Sequence, residues 1–303
     1  MELGMIGLGR MGGNMARRVL RGGHRLVAYD PKVETLDALA QEGAVCKSSL
    51  PNLIEELSLP RTVWVMVPEG DPTESIIQSL STSLSSGDTV IDGGNSNYKD
   101  SIRRSALLAD RGIFFLDVGT SGGIWGLEGG YSMMVGGDVN AFRTIEPILR
   151  TLAPSHDSGY GHVGPAGAGH FVKMVHNGIE YGLMEAYAEG FELLRAKEEL
   201  HLDMTQIANI WRDGSVVRSW LLDLIAIALQ EDPTLESIQA YVEDSGEGRW
   251  TVQESIDLNV PTPVISLSLQ ARFRSRQDQP FGAKMLAAMR NQFGGHTLRK
   301  TGD

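Results

Sequence analysis

Four polar side chains stand close together in residues 173–182, which read Lys-Met-Val-His-Asn-Gly-Ile-Glu-Tyr-Gly. Lys173, Asn177 and Glu180 occupy positions i, i+4 and i+7, so on a helix they would share one face over about 10 Å. His176 lies beside them. A lysine and a glutamate can exchange protons with a bound substrate, and an amide can orient a hydroxyl group. A solvated helix face has similar spacing, but the neighbouring residues are apolar, which favours a half-buried functional groove.

A glycine-rich segment near the N-terminus, residues 7–12, matches the pattern G-x-G-x-x-G. It follows an apolar run and opens a helical pattern, where the glycines would let backbone N–H groups approach a pyrophosphate. Asp30 ends the next apolar run, where an acid bonds the adenine ribose and repels a 2′-phosphate. The pattern favours NAD over NADP, although Lys32 keeps NADP possible, and a plain βαβ turn is the alternative. The expected cofactor contacts are Gly7, Leu8, Gly9, Met11, Gly12 and Asp30.

Two further polar loops follow apolar runs. Residues 92–97 read Asp-Gly-Gly-Asn-Ser-Asn and residues 120–123 read Thr-Ser-Gly-Gly. Doubly wound sheets bind ligands at the carboxyl ends of their strands, and small residues with free N–H groups suit a carboxylate. Near the C-terminus stand several arginines, whose side chains make fork-like contacts to phosphate. Surface turns and solvated arginines are the alternative interpretation.

The elements that must position these residues change in type along the chain. Six apolar runs predict strands at 3–7, 26–30, 62–67, 89–92, 114–118 and 132–135. Most are separated by helical patterns, at 11–21, 33–41, 71–80, 98–110 and 141–152. After about residue 166 only helical patterns remain, at 168–199, 204–213, 216–229, 250–259, 263–276 and 283–293. We therefore predict an α/β fold: an N-terminal Rossmann-type doubly wound parallel sheet over 1–165, followed by an all-α domain over 166–303.

Composition narrows the class of protein. The chain has 303 residues, 42% of them apolar, and a net charge of −11. Cys46 is the single cysteine, so an internal disulfide is excluded, and no histidine spacing predicts a metal site. The acidic balance disfavours nucleic acid and anionic membranes as partners. With no leader and no spanning-length apolar run, we expect a cytoplasmic protein.

Charge is unevenly distributed along the chain. Residues 272–303 carry seven Lys or Arg and two acids, a net +5, which leaves −16 on the rest. Local charge steers a small ligand more than the total does. An anionic metabolite therefore remains compatible with this acidic protein.

In the polar loops, the 173–182 segment and the C-terminal region, the sequence resembles the decarboxylating 6-phosphogluconate dehydrogenases. It is similar to a short form of that family, within the β-hydroxyacid dehydrogenase superfamily. The most specific match is residues 173–182, the family's catalytic helix signature. The resemblance also rests on residues 93–96, 121–123, 248–251, 271–272 and 290–297. It implies oxidative decarboxylation of 6-phosphogluconate to ribulose 5-phosphate and CO₂, with NAD as cofactor, NADP less favoured, and no metal.

The resemblance also implies roles for individual residues. Lys173 looks like the base for the substrate's C3 hydroxyl, and Glu180 like the acid that protonates C1. Val67, Pro68 and Asn95 would contact the cofactor. The substrate would be held by Asn95, Ser121, Gly122, Gly123, His176, Asn177, Tyr181, Arg272, Arg290 and His296.

Two departures from the family pattern lie in the second half of the chain. The chain is much shorter than the family's long form, with the loss in the helical domain, and Ser245 stands where the family has a phosphate-binding lysine. The resemblance also bears on assembly, because in the long form the tail arginine and histidine come from a partner subunit. We therefore expect a homo-oligomer, a dimer or tetramer, in which Arg290 and His296 could complete a neighbouring active site.

Two other functions remain as alternatives. Another β-hydroxyacid dehydrogenase, such as a 3-hydroxyisobutyrate-type enzyme, would share the glycine loop, residues 121–123 and Lys173. It would not need Glu180, His176 or the Arg290 and His296 pair, because it neither decarboxylates its substrate nor holds a phosphate. A non-catalytic dinucleotide-binding module would keep the glycine loop and lose the polar stripe of 173–182.

Overall fold

The computed structural model describes residues 1–299, and it divides into two compact units, Met1–Asn177 and a second that starts at Gly178. The strands are β1 Glu2–Ile6, β2 Arg25–Tyr29, β3 Val45–Cys46, β4 Thr62–Val65, β5 Thr89–Asp92, β6 Phe114–Ser121, β7 Ser132–Gly137 and β8 Tyr160–Gly164. The helices of the first unit are α1 Arg10–Arg21, α2 Val33–Gln41, α3 Leu50–Glu56, α4 Asp71–Ser83, α5 Tyr98–Ala109, α6 Gly126–Gly129 and α7 Val139–Leu152. The division falls inside α8, Ala168–Ala196, and α9 Met204–Arg212, α10 Trp220–Glu231, α11 Glu247–Asp257, α12 Pro263–Ser275 and α13 Phe281–Gly294 follow. The predicted fold class is confirmed.

All eight strands form one sheet in the order β3-β2-β1-β4-β5-β6-β7-β8. Strands β1 to β6 are parallel, as the alternation of strands and helices predicts. Strand β7 is antiparallel to β6, so the sheet departs from the predicted parallel arrangement at this one pair. Parallel strands need a crossover of a dozen or more residues, and residues 122–131 are too few. The elements β3, α3, α6 and β8 carry no strong periodic pattern, and the sequence does not predict them.

Helices cover both faces of this sheet, and the strands are apolar on both sides for that reason. In β4, Trp64 belongs to one buried cluster, whereas Val63 and Val65 belong to the other. All three side chains are fully buried. The first unit therefore has a complete core on each face, which fixes the carboxyl ends of β1, β4, β5 and β6.

The helical unit has a much smaller core. Its buried apolar cluster consists of Ala208, Leu222, Ala226 and Leu229. Helix α13 has no buried residue among its described positions. Nowhere in residues 1–299 is there a helix with both the length and the apolar character needed to cross a bilayer.

Candidate active site

The glycine-rich turn joins β1 to α1 and packs too tightly to admit side chains at Gly7 and Gly12. Gly7 has φ of +89°, a conformation that L side chains rarely adopt, and a Cβ on Gly12 would collide with the Gly7 carbonyl oxygen. The first turn of α1 contains no acidic residue, and no side chain caps its N–H groups. Such a helix N-terminus attracts an anion, and a pyrophosphate is an anion of suitable size.

Asp30 is tied to the glycine turn. The Leu8 N–H donates to Asp30 Oδ2 at 2.7 Å, and the Lys32 N–H donates to Asp30 Oδ1 at 2.8 Å. The Leu8 side chain is buried in the core, so only its backbone faces the turn. Val67 also borders it, since a Cβ on Gly7 would lie 2.9 Å from Val67 Cγ1. Pro68 follows, and its carbonyl accepts a hydrogen bond from Thr73 Oγ1 at 2.7 Å.

A buried ion pair anchors the loop that carries Asn95 to the end of β5. Asp92, the last residue of β5, is fully buried and accepts from Arg104 Nη1 at 3.0 Å and from Ser96 Oγ at 2.7 Å. Arg104 also donates to Glu74 at 3.0 Å. Hydrogen bonds from Arg103 and Arg104 lower the pKa of Glu74 to about 2. Asn95 itself is exposed at the top of this loop.

Ser121 ends β6, and the glycines after it turn the chain sharply. Gly122 and Gly123 have φ of +141° and +52°. The turn rests on the buried ring of Tyr131, whose Cδ1 would lie 3.0 Å from a Cβ on Gly122. Asn14 of α1 donates to the Ile124 carbonyl at 3.4 Å, so the helix after the glycine turn contacts this loop.

Lys173 is buried, with 7% of its surface exposed. Its Nζ donates to Asn177 Oδ1 at 2.7 Å, and His176 Nδ1 lies 3.1 Å from the same oxygen. Gly119 lets α8 lie against β6, because a Cβ there would collide with the Lys173 Cβ and lie 2.6 Å from the Gly169 carbonyl oxygen. The stem of Lys173 therefore crosses β6 two residues before Ser121, and the structure brings these two predicted residues into one place.

In the helical unit, Tyr181 and Arg272 are brought together. The Arg272 guanidinium lies 3.5 Å from the Tyr181 ring centroid, a cation–π contact. The Tyr181 hydroxyl accepts from the Ser245 N–H at 3.0 Å and lies 3.2 Å from Ser245 Oγ. Ser245, the position without the family's lysine, is thus part of the same cluster. Glu180 precedes Tyr181 on α8 and is half-buried.

Two neighbouring arginines are engaged by one carboxylate. Arg249 binds Asp244 through Nε at 2.8 Å and Nη2 at 3.0 Å, and Arg276 Nη2 donates to Asp244 Oδ2 at 2.6 Å. The hydrogen bonds from Arg249 and then Arg276 hold the pKa of Asp244 well below its usual range, although its burial acts in the opposite direction. By contrast, Arg272 Nη1 donates to a backbone carbonyl, that of Glu243, at 2.9 Å.

The two predicted tail residues make no hydrogen bond or ion pair with this cluster within residues 1–299. Arg290 is on α13, and His296 follows the left-handed Gly295 that ends the helix. Both are exposed. Lys300 and Asp303, counted in the tail charge, lie outside the described residues.

Two residues that support the site, Asp117 and Arg104, are not predicted by the sequence pattern. Asp117 and Arg104 are almost completely buried beneath the loops and the helix that carry the predicted site. The available signal was a carboxylate inside the apolar run 114–118 and an arginine on the inner face of α5. Over residues 1–299, no group of three or more metal-ligating side chains is suitably placed to hold an ion.

Comparison with known families covers most of the chain. The family described as the NAD binding domain of 6-phosphogluconate dehydrogenase matches residues 2–164. The family described as the 6-phosphogluconate dehydrogenase C-terminal domain matches residues 169–280.

Two relatives match over their whole length. A Bacillus subtilis protein, provisionally named a 6-phosphogluconate dehydrogenase, is 44% identical over 99% of this chain and 100% of its own. A Haloferax volcanii protein named as an NAD(+)-dependent, decarboxylating 6-phosphogluconate dehydrogenase is 42% identical over 100% of both chains.

Two solved structures have similar folds. The Plasmodium falciparum 6-phosphogluconate dehydrogenase has a TM-score of 0.83 and 28% identity, covering 100% of this chain and 67% of its own. A Mycobacterium tuberculosis 3-hydroxyisobutyrate dehydrogenase has a TM-score of 0.73 and 23% identity, covering 95% of this chain and 98% of its own, which indicates a shared fold alone.

Proposed function

Because this chain belongs to the family of 6-phosphogluconate dehydrogenases, we propose that it catalyses the oxidative decarboxylation of 6-phosphogluconate to ribulose 5-phosphate and CO₂. The observation that carries the proposal is the buried Lys173, bonded to Asn177 and packed on β6 beside the Ser121 turn. A buried amine next to a loop suited to carboxylates can take the proton of a hydroxyl group near a carboxylate, while the nicotinamide takes the hydride.

The first unit fits NAD. The tight turn at Gly7 and Gly12 would receive the pyrophosphate at the N-terminus of α1, and the partly exposed Asp30 would accept hydrogen bonds from the adenine ribose. Its charge would repel the 2′-phosphate of NADP, so NAD is preferred. Val67, Pro68 and Asn95 would line the cleft. When bound, the nicotinamide supplies an acceptor for the hydride from substrate C3.

In the first step Lys173 removes the proton from the C3 hydroxyl. The amine must be neutral to do so, and burial disfavours the charged form of an amine in general. The N–H groups of the Ser121 turn, with Gly122 and Gly123, would hold the substrate carboxylate. Asn177 would keep the Lys173 amine oriented, because its Oδ1 accepts the Nζ hydrogen bond.

In the second step the 3-keto acid loses CO₂, and the ketone itself accepts the electron pair. Lys173, now an ammonium, stabilises the developing enolate oxygen. Glu180 then protonates C1 of the enediol, which gives ribulose 5-phosphate. His176 and Asn95 orient the substrate hydroxyls. The decarboxylation needs no metal, because the ketone is the electron sink.

The phosphate would be held by Tyr181 and Arg272 together with Arg290 and His296. Arg249 and Arg276 are poor candidates, because the guanidinium group of each is already paired with the Asp244 carboxylate. Arg272 lies on the Tyr181 ring and binds a neutral carbonyl, so its positive charge remains for a phosphate oxygen. The Ser245 hydroxyl and N–H would take part of the role of the family's lysine.

The second unit supports the proposal of a homo-oligomer, a dimer or tetramer. Its described residues include large apolar side chains in water, among them Leu193 at 75%, Val264 at 65% and Phe293 at 93% exposure. Large apolar side chains left in water at this level are typical of surfaces that another chain covers. We propose that residues 166–303 serve substrate binding and oligomerisation while residues 1–165 bind the dinucleotide, with Arg290 and His296 reaching a neighbouring active site.

The reaction is tested by incubating the purified protein with 6-phosphogluconate and NAD while reduced cofactor and CO₂ are measured together. We expect the two products in equal amounts. Cofactor reduction without CO₂ would instead favour a 3-hydroxyisobutyrate-type enzyme. NAD binding without any turnover, at substrate concentrations that saturate known relatives, would leave a dinucleotide-binding module.

A mixing experiment tests the shared site. We expect the Lys173→Met and Arg290→Ala variants to be inactive or weak when each is assembled alone, and the two are then unfolded, mixed and refolded together. If the tail acts in trans, each mixed dimer contains one site with both residues intact, and activity returns. If the tail acts in cis, no site in the mixture has both residues, and activity stays at the level of the separate variants.

A further inference from the structure

Three polar side chains are buried together where β6, α5 and α8 meet, and the reaction proposed above uses none of them. Asp117 and Ser101 are fully buried and His170 has 2% of its surface exposed. The His170 Nδ1 lies 2.7 Å from Ser101 Oγ. Burying a carboxylate and two other polar groups is costly unless their hydrogen bonds are made, so the cluster needs a structural or functional reason.

Asp117 fixes the start of α8. The Gly167 N–H donates to Asp117 Oδ1 at 2.7 Å, and the His170 N–H donates to Asp117 Oδ2 at 2.8 Å. The first N–H groups of a helix have no partner within the helix, and a carboxylate at this end also interacts favourably with the helix dipole. A side chain from β6 therefore caps the helix that carries Lys173.

Close backbone packing makes this attachment stiff. A Cβ on Gly169 would collide with the Asp117 carbonyl oxygen and lie 2.5 Å from the Met134 carbonyl oxygen. No side chain separates the first turn of α8 from the sheet at this point. Lys173 follows one turn later, so a shift of the first turn moves its amine directly.

Helix α5 links the same turn to the loop of Asn95. On its buried face, Ser101 bonds His170, and Arg104, one turn later, donates to Asp92 Oδ2 at 3.0 Å and to Ser96 Oγ at 3.1 Å. The hydrogen bonds of α5 therefore connect the loop that carries Asn95 to the helix that carries Lys173. We call this connection the α5 linkage.

We propose that His170 and Asp117 are positioning residues that set the distance between the Lys173 amine and the Asn95 loop. The proposal rests on the function proposed above, since Lys173 is the base there. His170 acts through Nδ1, whereas its Nε2 is buried and has no hydrogen-bond partner. A displacement of about 1 Å at a reacting group can lower the rate about 100-fold, so the α5 linkage affects turnover more than substrate binding.

The asymmetry of the ring gives a sharp test. An asparagine places its amide near the position of Nδ1, and rotation of the amide lets it donate or accept. A glutamine places its amide near Nε2 instead. We expect His170→Asn to keep kcat within about threefold of the wild type, and His170→Gln to lower kcat about 10- to 100-fold with KM changed less than about threefold.

Ser101→Ala provides an independent arm, because it removes the other partner of the same hydrogen bond. We expect it to lower kcat about tenfold, and the Ser101→Ala, His170→Gln double variant to be no worse than His170→Gln alone. The proposal is overturned if His170→Asn is as impaired as His170→Gln, if the two changes multiply, or if the loss lies in KM alone.

Amide hydrogen exchange in the free protein separates this proposal from the function on which it rests. We expect His170→Gln and Ser101→Ala to speed exchange at residues 170–173 while exchange in β1 and β4 is unchanged. Equal exchange in the wild type and both variants contradicts the α5 linkage even if the enzyme is active. Failure of the wild type to oxidise 6-phosphogluconate rejects the proposed function, and the exchange result then decides the α5 linkage alone.

Discussion

The two units of this protein differ in how completely each is built from its own chain. In the first, helices cover both faces of the sheet, and Asp92, Arg104, Asp117 and Lys173 are all buried and hydrogen-bonded. In the second, the buried apolar cluster of the described residues has four members, and none of the described residues of α13 is buried. A unit that leaves this much apolar surface in water is typical of one that pairs with another chain. The difference agrees with the proposal that the base and the cofactor site need one chain, whereas the phosphate site is completed by a partner subunit.

The largest expected effect lies in the first unit. Lys173→Met removes the proposed base while keeping an apolar stem against Gly119, so we expect kcat to fall at least about 1,000-fold. NAD affinity should stay close to that of the wild type, as measured by titration. Lys197→Met, at an exposed lysine, is the matched control and should be fully active. A Lys173→Met enzyme with more than a tenth of the wild-type kcat would mean that another group is the base.

The next effect concerns the phosphate cluster of the second unit. Arg272→Met removes the guanidinium that lies on Tyr181, and a hydrogen bond to a charged group contributes about 1.5–3 kcal/mol. We expect KM for 6-phosphogluconate to rise about 10- to 100-fold with a smaller change in kcat. Arg274→Met, at an exposed position of the same helix, is the control. An unchanged KM would remove Arg272 from the phosphate site and weaken the contrast between the units.

A smaller effect tests cofactor choice. Asp30→Asn keeps an oxygen that can accept the Leu8 N–H but loses the charge that repels a 2′-phosphate. We expect the ratio of kcat/KM for NAD to that for NADP to fall about tenfold, equivalent to about 1.4 kcal/mol. Asp37→Asn, an exposed acid on α2, should leave the ratio as it is. If both variants behave alike, Asp30 does not discriminate between the cofactors.

The smallest effect is on stability at low pH. Arg103 and Arg104 lower the pKa of Glu74 to about 2, against about 4.3 for an unfolded glutamate. The stability from this pairing is therefore fully present above about pH 4.3 and is lost as the pH falls toward 2. We expect Glu74→Gln to lower the urea midpoint of the first unit at pH 6 and to reduce the drop between pH 5 and pH 3. Glu55→Gln, at an exposed acid, should retain the full drop.

Much of the fold follows from local pattern. The apolar runs of β1, β2, β4 and β5 are continuous because helices cover both faces, and a periodic signal of this strength is easily recognised. Strand β7 was predicted in place but in the wrong direction, since direction depends on the length of the connection rather than on the strand. The bonds of Asp117 with α8 join residues 50 or more positions apart, and no local pattern contains them.

The sequence by itself determined the chemistry: a glycine turn followed by an acid at position 30, a lysine, amide and glutamate on one helix, and a basic tail. These are properties of residue type and spacing, which the chain carries before it folds. Only the tertiary structure decided which groups are buried and which are paired. In the folded chain Lys173 packs against Gly119, and Arg249 and Arg276 form ion pairs with Asp244. Arg272 instead stacks on the Tyr181 ring. The physical reason is that burial and ion pairing depend on elements distant in the chain, and the charge available to a ligand is what remains after those pairs have formed.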